Sequence, residues 1–422
     1  MRLLYTLVFY LLTPLLLARL WWRGRKAPGY RKNSWQRLGL GARLEGPVIW
    51  VHAVSVGETL AVAPLVERLL AHYPGYRILM TNMTPTGADQ VRKLFGDRVV
   101  QRFCPWDLPL AWGAFLRRTR PSLCIVVETE LWPNMVACCS RSGVPVVLAN
   151  ARLSERSARG YRRFSALTGP MLQRLSLIAA QHEADAERFR ELGAPAERVS
   201  VTGSIKFDIA PDLSLRAAGA ELRQQLGAQR PVIIAASTHE GEDELLLRCW
   251  RSLRELRPDL ALMLVPRHPE RFASVTALAR QFSEQVCARS AGKQPNSATD
   301  IYIGDTMGEL MMLYAAADIA FVGGSFSGTG GHNPLEPAAL GLPVVMGPDT
   351  FNFAAICDAL EGAGGLSRTA DDTALTAQLA DWLDKPAQRS LAGSAGEAFV
   401  KANQGALDRL EALIAERLET RG

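Results

Sequence analysis

The amino-acid sequence predicts an α/β protein of two doubly wound lobes behind an apolar N-terminal helix. From Pro47 onward, short apolar runs alternate with helical patterns, the rhythm of parallel sheets covered by helices on both faces. The alternation falls into two series, separated by an aperiodic stretch around Pro211. At 422 residues the chain also exceeds one ordinary core, given roughly 100 to 200 residues per domain. The expected organisation is an apolar anchor over 1–22, a basic segment over 23–46, a first lobe over 47–206, a linker over 207–215 and a second lobe over 216–422.

In the first element, Leu3 to Ala18 carries no charge, and Leu20, Trp21 and Trp22 bring it near the roughly 20 residues of a bilayer-spanning helix. Pro14 and Arg19 weaken that span. The tryptophans suit a membrane interface, and the basic residues that follow place the downstream chain on the cytoplasmic side. A cleaved signal peptide is the alternative, but no small-residue cleavage site follows and the basic cluster lies on the wrong side.

Much of the formal net charge of +6 sits in the next segment, where seven basic residues and no acidic one lie between Arg23 and Arg43. A nucleic-acid protein would carry basic stripes interleaved with aromatics along its folded body, and the sequence shows none, so no nucleic-acid partner is expected. Its seven cysteines are scattered and include no C-x-x-C pair. Buried free thiols in a reducing cytoplasm are expected rather than a disulfide framework or a zinc site.

Predicted strands of the first lobe are Val48 to Val54, Arg77 to Asn82, Val99 to Phe103, Leu123 to Glu128, Val144 to Asn150, Leu177 to Gln181 and Val199 to Thr202. The second series comprises Val232 to Ser237, Leu260 to Pro266, Ile301 to Gly304, Ile319 to Gly323 and Pro343 to Met346. Open parallel sheets bind ligands at the carboxyl ends of their strands, so the residues just after each strand are the candidate sites. A cleft between the lobes is the expected location.

After the first strand, Ser55-Val56-Gly57-Glu58 opens a helix read as Thr59 to His72, with Pro64 obscuring its start. Glu58 there is placed to take a proton from an attacking hydroxyl, or Ser55 and Glu58 form a capping box with S-x-x-E spacing. Glu128 and Glu130 follow the fourth strand and point to the same side if the extended conformation persists. Either they serve the site or they form a structural ion pair, with an arginine such as Arg152. Lys206, just before the linker, can neutralise phosphate charge or remain a solvated surface lysine.

In the second lobe, Arg267 follows a strand and suits bidentate binding of phosphate or carboxylate. Gly304 to Leu310 is predicted to open a helix whose first N–H groups can receive an anion, unless Asp305 and Thr306 merely cap it. Five glycines lie between positions 323 and 331, ahead of Asn333-Pro334-Leu335-Glu336. They permit close backbone approach to a ligand, Pro334 suits a first helical turn, and Asn333 and Glu336 can bond a ribose or base. A flexible loop is the bland alternative. Ser237 to Glu242 reads mainly as helix capping, with His239 a possible contact. The six histidines form no recognisable ligand pair, so no metal is expected.

Seven segments together carry a family resemblance: SVGE at 55–58, TPTG at 84–87, ETELWPN at 128–134, GSIKFD at 203–208, PRHPER at 266–271, GDTMGEL at 304–310 and HNPLEP at 332–337. The chain resembles the 3-deoxy-D-manno-octulosonic acid (Kdo) transferases of Gram-negative lipopolysaccharide synthesis, from its N-terminal segment almost to its C-terminus. The resemblance implies a GT-B fold of two Rossmann-like lobes facing a cleft. It also implies CMP-Kdo as donor, a lipid A precursor (lipid IVA) as acceptor and inversion at the anomeric carbon. The implied location is the bacterial inner membrane, with a single-pass N-terminal anchor and a cytoplasmic catalytic body. Carried over residue by residue, Glu58 matches the general base, and Glu128 and Lys206 match residues that stabilise the transition state. Pro266, Arg267, Met307, Gly308, Glu309, Asn333, Pro334, Leu335 and Glu336 match the positions that bind CMP. Asn82 is a local departure, where similar chains more often have a hydroxyl residue. Another GT-B enzyme acting on a UDP-sugar, as transferase or 2-epimerase, is the alternative; a non-catalytic membrane-bound nucleotide-binding factor is a third reading.

Overall fold

Parallel strands covered by helices on both faces need no polar alternation, which is why the apolar runs of this chain can be continuous. The computed structural model describes residues 1–209 and 213–419; three residues of the expected linker, 210–212, lie outside them. The chain divides into two units, one of Met1–Asp208 plus the segment from Gln404 onward, the other of Ile209–Asn403.

The first unit contains β1 (Val48–His52), β2 (Arg77–Asn82), β3 (Val99–Phe103), β4 (Pro121–Val127), β5 (Val146–Ala151), β6 (Leu177–Ala180) and β7 (Val199–Val201). All seven expected strands are present, in the order β3-β2-β1-β4-β5-β6-β7 and parallel throughout. Trp50, Leu79, Val126 and Leu148 face one core with Trp112 and Phe115, while Ile49, Val51, Met80 and Val147 face the other with Leu65 and Leu69.

That second core holds a correction to the expected boundary of 216–422 for the second lobe. Helix Ala406–Glu419 belongs to the first unit, where Leu407, Leu410, Ile414 and Leu418 complete its core. Asp208 accepts from Gly405 N and Leu407 N at 2.5 Å each, and Glu411 pairs with Arg68 and His72. An amphipathic helix reveals in sequence which face is apolar, but not which surface that face covers. One charge of the basic segment is part of this unit's interior. Arg37 is 2% exposed, donates to Met83 O at 2.9 Å and lies over the Phe103 ring.

His52 is fully buried on β1, its Nδ1 2.8 Å from Thr81 Oγ1, and burial lowers its pKa to about 4. The unfolded chain takes up this proton near pH 6.5 and the folded chain only near pH 4. Stability from His52 is therefore complete above pH 6.5 and falls by about 3 kcal/mol on acidification to pH 4. Urea unfolding of wild type and His52→Gln should show a stability gap that shrinks over that window; a constant gap would refute the assignment.

The second unit contains β8 (Val232–Thr238), β9 (Ala261–Pro266), β10 (Val286–Ala288), β11 (Ile301–Ile303), β12 (Ile319–Val322), β13 (Val344–Met346) and β14 (Leu366–Arg368). They form a second parallel sheet, ordered β10-β11-β9-β8-β12-β13-β14. The two strands not foreseen, β10 and β14, are its edges. Each is three residues long and only partly buried, so neither offers the continuous apolar run by which an interior strand is recognised. All seven cysteines are free thiols, six of them buried.

Candidate functional site

Each sheet reverses its order near the middle, between β1 and β4 and between β8 and β12. Loops leaving the strands on either side of such a reversal diverge and leave a crevice at the carboxyl edge. The candidate residues of the first unit lie there.

Ser55 caps helix Val56–His72, which begins three residues earlier than the sequence suggests and carries Pro64 in its interior. The Ser55 side chain accepts from Glu58 N, its hydroxyl donates to Glu58 Oε1 at 2.9 Å, and Glu58 Oε2 accepts from Val54 N at 2.8 Å. Capping box and candidate base are thus the same carboxylate. Burial raises the Glu58 pKa, bonds from Val54 and Ser55 lower it, and the charges of Glu128 and Glu130 raise it further. Asn82 fixes this turn from below, donating to Ala53 O at 2.7 Å and to Thr59 Oγ1 at 3.2 Å. Thr84 caps the next helix, Pro85–Phe95, as the TPTG segment closes over Val54.

Glu128 does not continue the strand. With φ +59° it turns the chain, so the two carboxylates reach one neighbourhood through a bend rather than by strand alternation. Lys206, on the turn Ile205–Phe207, places Nζ 3.3 Å from Glu128 Oε1, making a lysine rather than Arg152 the partner shown for this carboxylate. Both side chains are under a third exposed, 28% and 29%. Burial raises the Glu130 pKa, and Glu128 adds to it. The first unit therefore gathers three carboxylates and a lysine, with two of the carboxylates, Glu58 and Glu130, poised to hold a proton more tightly than usual. Three buried donors on the flanking segments, Trp132 Nε1, Asn150 Nδ2 and Ser204 Oγ, have no partner among the described residues. Nothing in residue order distinguishes Trp132, Asn150 or Ser204, because an unmet donor is a property of packing.

In the second unit the glycine-rich segment is an ordered loop. Gly323 has no room for a side chain, since a Cβ there would lie 2.5 Å from Ser237 O, and Gly324 has φ +74°. The loop folds back through Gly331 N to Gly324 O at 2.7 Å and His332 N to Gly323 O at 3.1 Å. At its centre stands Glu242, which is 1% exposed. Its carboxylate accepts from His239 N, Gly324 N, Ser325 N and Phe326 N at 2.8 to 3.0 Å. Residue order suggests only helix capping here, because the role of Glu242 depends on loop segments more than eighty positions away.

Around the loop, His332 Nε2 lies 2.8 Å from His239 Nε2, and the His268 ring meets that of His239 edge-on. Burial, with a smaller push from the nearby Arg267 charge, lowers the His332 pKa to about 4, so the ring is neutral at physiological pH. Arg267 also acts on Glu336, whose pKa burial raises and whose Oε1 accepts from Asn333 Nδ2 at 3.3 Å. Asn333 Oδ1 accepts from Leu335 N at 3.1 Å, Pro334 is the N-cap of helix Leu335–Ala339, and Leu335 and Pro266 are buried. The structure thus brings Arg267, His332, Asn333 and Glu336 together.

Residues 307–309 are arranged differently from expectation. Gly304 to Glu309 forms a loop after β11, and the helix, Leu310–Ala315, starts only at Leu310. Asp305 accepts from Ser290 N at 2.8 Å rather than capping that helix. Glu309 receives Arg289 through two bonds, 3.1 and 2.7 Å, and Thr306 through its hydroxyl. The Arg289 bond lowers its pKa, and Met307 is half exposed. Arg289, on the turn after an unforeseen edge strand, was not among the sequence candidates.

The family described as 3-deoxy-D-manno-octulosonic-acid transferase (kdotransferase) matches residues 32–209. A 3-deoxy-D-manno-octulosonic acid transferase of Haemophilus influenzae is 42% identical, over 99% of this chain and 99% of its own. The Bordetella pertussis protein of the same name is 40% identical over 97% and 98%. In fold, the chain is similar to UDP-GlcNAc 2-epimerase from Neisseria meningitidis, with a TM-score of 0.58 over 89% of this chain and 100% of that one, at 14% identity. This likeness establishes a two-lobe GT-B-like fold.

Proposed function

The chain belongs to the family of 3-deoxy-D-manno-octulosonic acid transferases, and from that premise we propose that it moves Kdo from CMP-Kdo to a lipid A precursor with inversion at the anomeric carbon. The observation that supports this most is the Glu58 carboxylate, held at a strand-to-helix turn with its pKa raised by burial beside Glu128 and Glu130. A base of this kind accepts the proton of an acceptor hydroxyl as that oxygen bonds to the anomeric carbon. The bond from that carbon to the CMP phosphate breaks, and CMP leaves with the electron pair. Lys206, paired with Glu128, is the cation available to offset developing negative charge in the first unit. In the second unit Arg267, His332, Asn333 and Glu336 are the groups for a nucleotide monophosphate, with Met307, Gly308 and Glu309 on a loop of the same sheet edge.

The direct test is mass spectrometry of tetraacylated lipid A precursor incubated with CMP-Kdo and the purified chain. A Kdo adduct is expected, and an unmodified lipid would sink the reading. Charge is supplied by side chains in this mechanism, so EDTA should leave the rate unchanged; its loss, restored by a divalent cation, would require a metal. Arg267→Ala should weaken CMP binding by roughly 10- to 100-fold by calorimetry, the scale of a lost charge-assisted bond. Undiminished affinity would place the phosphate elsewhere. Attachment to the inner membrane on its cytoplasmic side, through the apolar N-terminal helix, completes the proposal.

A further inference from the structure

Helix Arg2–Lys26 has the length and composition of a membrane span, yet it is two-faced. Tyr5, Thr6, Phe9, Thr13, Leu16 and Leu20, three or four apart after the first pair, are its partly buried stripe. Phe9, Leu16 and Leu20 pack on Trp106, Leu108 and Ala111 of the first unit. The Thr6 hydroxyl donates to Asn134 Oδ1 at 3.0 Å, and the Tyr5 hydroxyl lies beside the Asp107 carboxylate. Asp107 is 2% exposed and also accepts from Trp112 Nε1, Asn134 N and Met135 N at 2.8 to 3.0 Å. On the opposite side, Leu3, Leu4, Leu7, Leu11, Leu15 and Trp22 are 57 to 83% exposed.

From Tyr5 to Leu20 the helix runs about 22 Å, most of the roughly 30 Å of a hydrocarbon core. Were it to cross a bilayer, its first turns would approach the far leaflet. Asp107, Asn134 and the loops bearing them would then have to enter the hydrocarbon, where irregular backbone exposed to lipid is not tolerated. Contact at both ends of the helix with one folded unit instead requires it to lie along that unit. Its outward leucines then form a broad apolar strip that water alone does not satisfy. At the strip's end, Arg25 stacks over Trp21 and Trp22 at 5.0 and 5.3 Å and Arg31 over Trp21 at 4.5 Å. Paired indole and guanidinium groups suit an anionic headgroup layer.

We propose that the N-terminal helix lies in the plane of an anionic leaflet, so that the chain is monotopic, with its N-terminus on the same side as its catalytic body. This deepens the membrane attachment proposed above and replaces the single-pass anchor expected from length. Asn134 belongs to the segment that carries Glu128 and Glu130, so docking also ties the membrane-facing helix to the candidate site.

Topology is the test, and it reads independently of transferase activity. A protease-cleavable tag ahead of Met1 of the full chain should be cut in inside-out inner-membrane vesicles and protected in spheroplasts. Cutting in spheroplasts, with protection in inside-out vesicles, would overturn the proposal. Leu7→Asp/Leu11→Asp should lower the fraction bound to phosphatidylglycerol/phosphatidylethanolamine vesicles at least about tenfold with an unchanged unfolding midpoint. Unchanged binding would overturn the in-plane face.

Discussion

Glu58→Gln is expected to slow Kdo transfer by about 10²- to 10⁴-fold, the usual contribution of a positioned general base. The substitution keeps shape and removes basicity. The amide can still accept from Val54 N and bond Ser55, so the helix cap should lose no more than about 1 kcal/mol. CMP affinity should be unchanged, because Glu58 lies on the first unit and the nucleotide groups on the second. The wild-type pH profile supplies a separate check. Glu58 works only when ionised, and burial raises its pKa, so the acid limb of kcat/KM should lie above the ordinary 4.5. Removing a neighbouring negative charge with Glu128→Gln should move that limb to lower pH. In stability the sign is opposite. A raised carboxylate pKa favours the fold below pH 4.5, and that contribution is lost as pH rises through the folded pKa. Normal transfer by Glu58→Gln would remove Glu58 as the base.

Glu242→Ala should do comparable damage by another route. Four backbone N–H groups converge on this carboxylate, three of them from the glycine-rich loop. Leaving them buried without an acceptor costs about 1 to 3 kcal/mol each, so at least about 4 kcal/mol of stability is expected to go. Whatever remains folded should bind CMP poorly, since His332, Asn333 and Glu336 continue from that loop. Thermal unfolding with and without CMP checks both effects. A variant with a wild-type midpoint and wild-type CMP affinity would show that the loop does not depend on Glu242.

Glu58 and Glu242 show where sequence reading stops. Each follows a glycine after the first strand of its sheet, and each reaches back to a backbone N–H at the strand-to-helix turn. Locally they look alike. Only the packed structure makes one a partly accessible carboxylate beside Glu128 and Glu130, and the other a fully buried support for a loop more than eighty residues away. Lys206 and Glu128 likewise stand 78 positions apart, and nothing in either segment announces their pairing.

What the sequence determined by itself was local and repetitive. Apolar runs and helical periods gave the two α/β series with twelve of their strands, and glycine, proline and polar residues marked the strand ends where ligands bind. Burial on both faces writes such elements directly into residue order. Tertiary structure decided what depends on partners far along the chain. Strand order set β1 beside β4 and β8 beside β12, bringing the marked loops together at each sheet's reversal. Packing sent the last helix back to the first unit and laid the N-terminal helix along it. An apolar face fixes how much surface must be covered, while shape and buried hydrogen bonds select the surface that covers it.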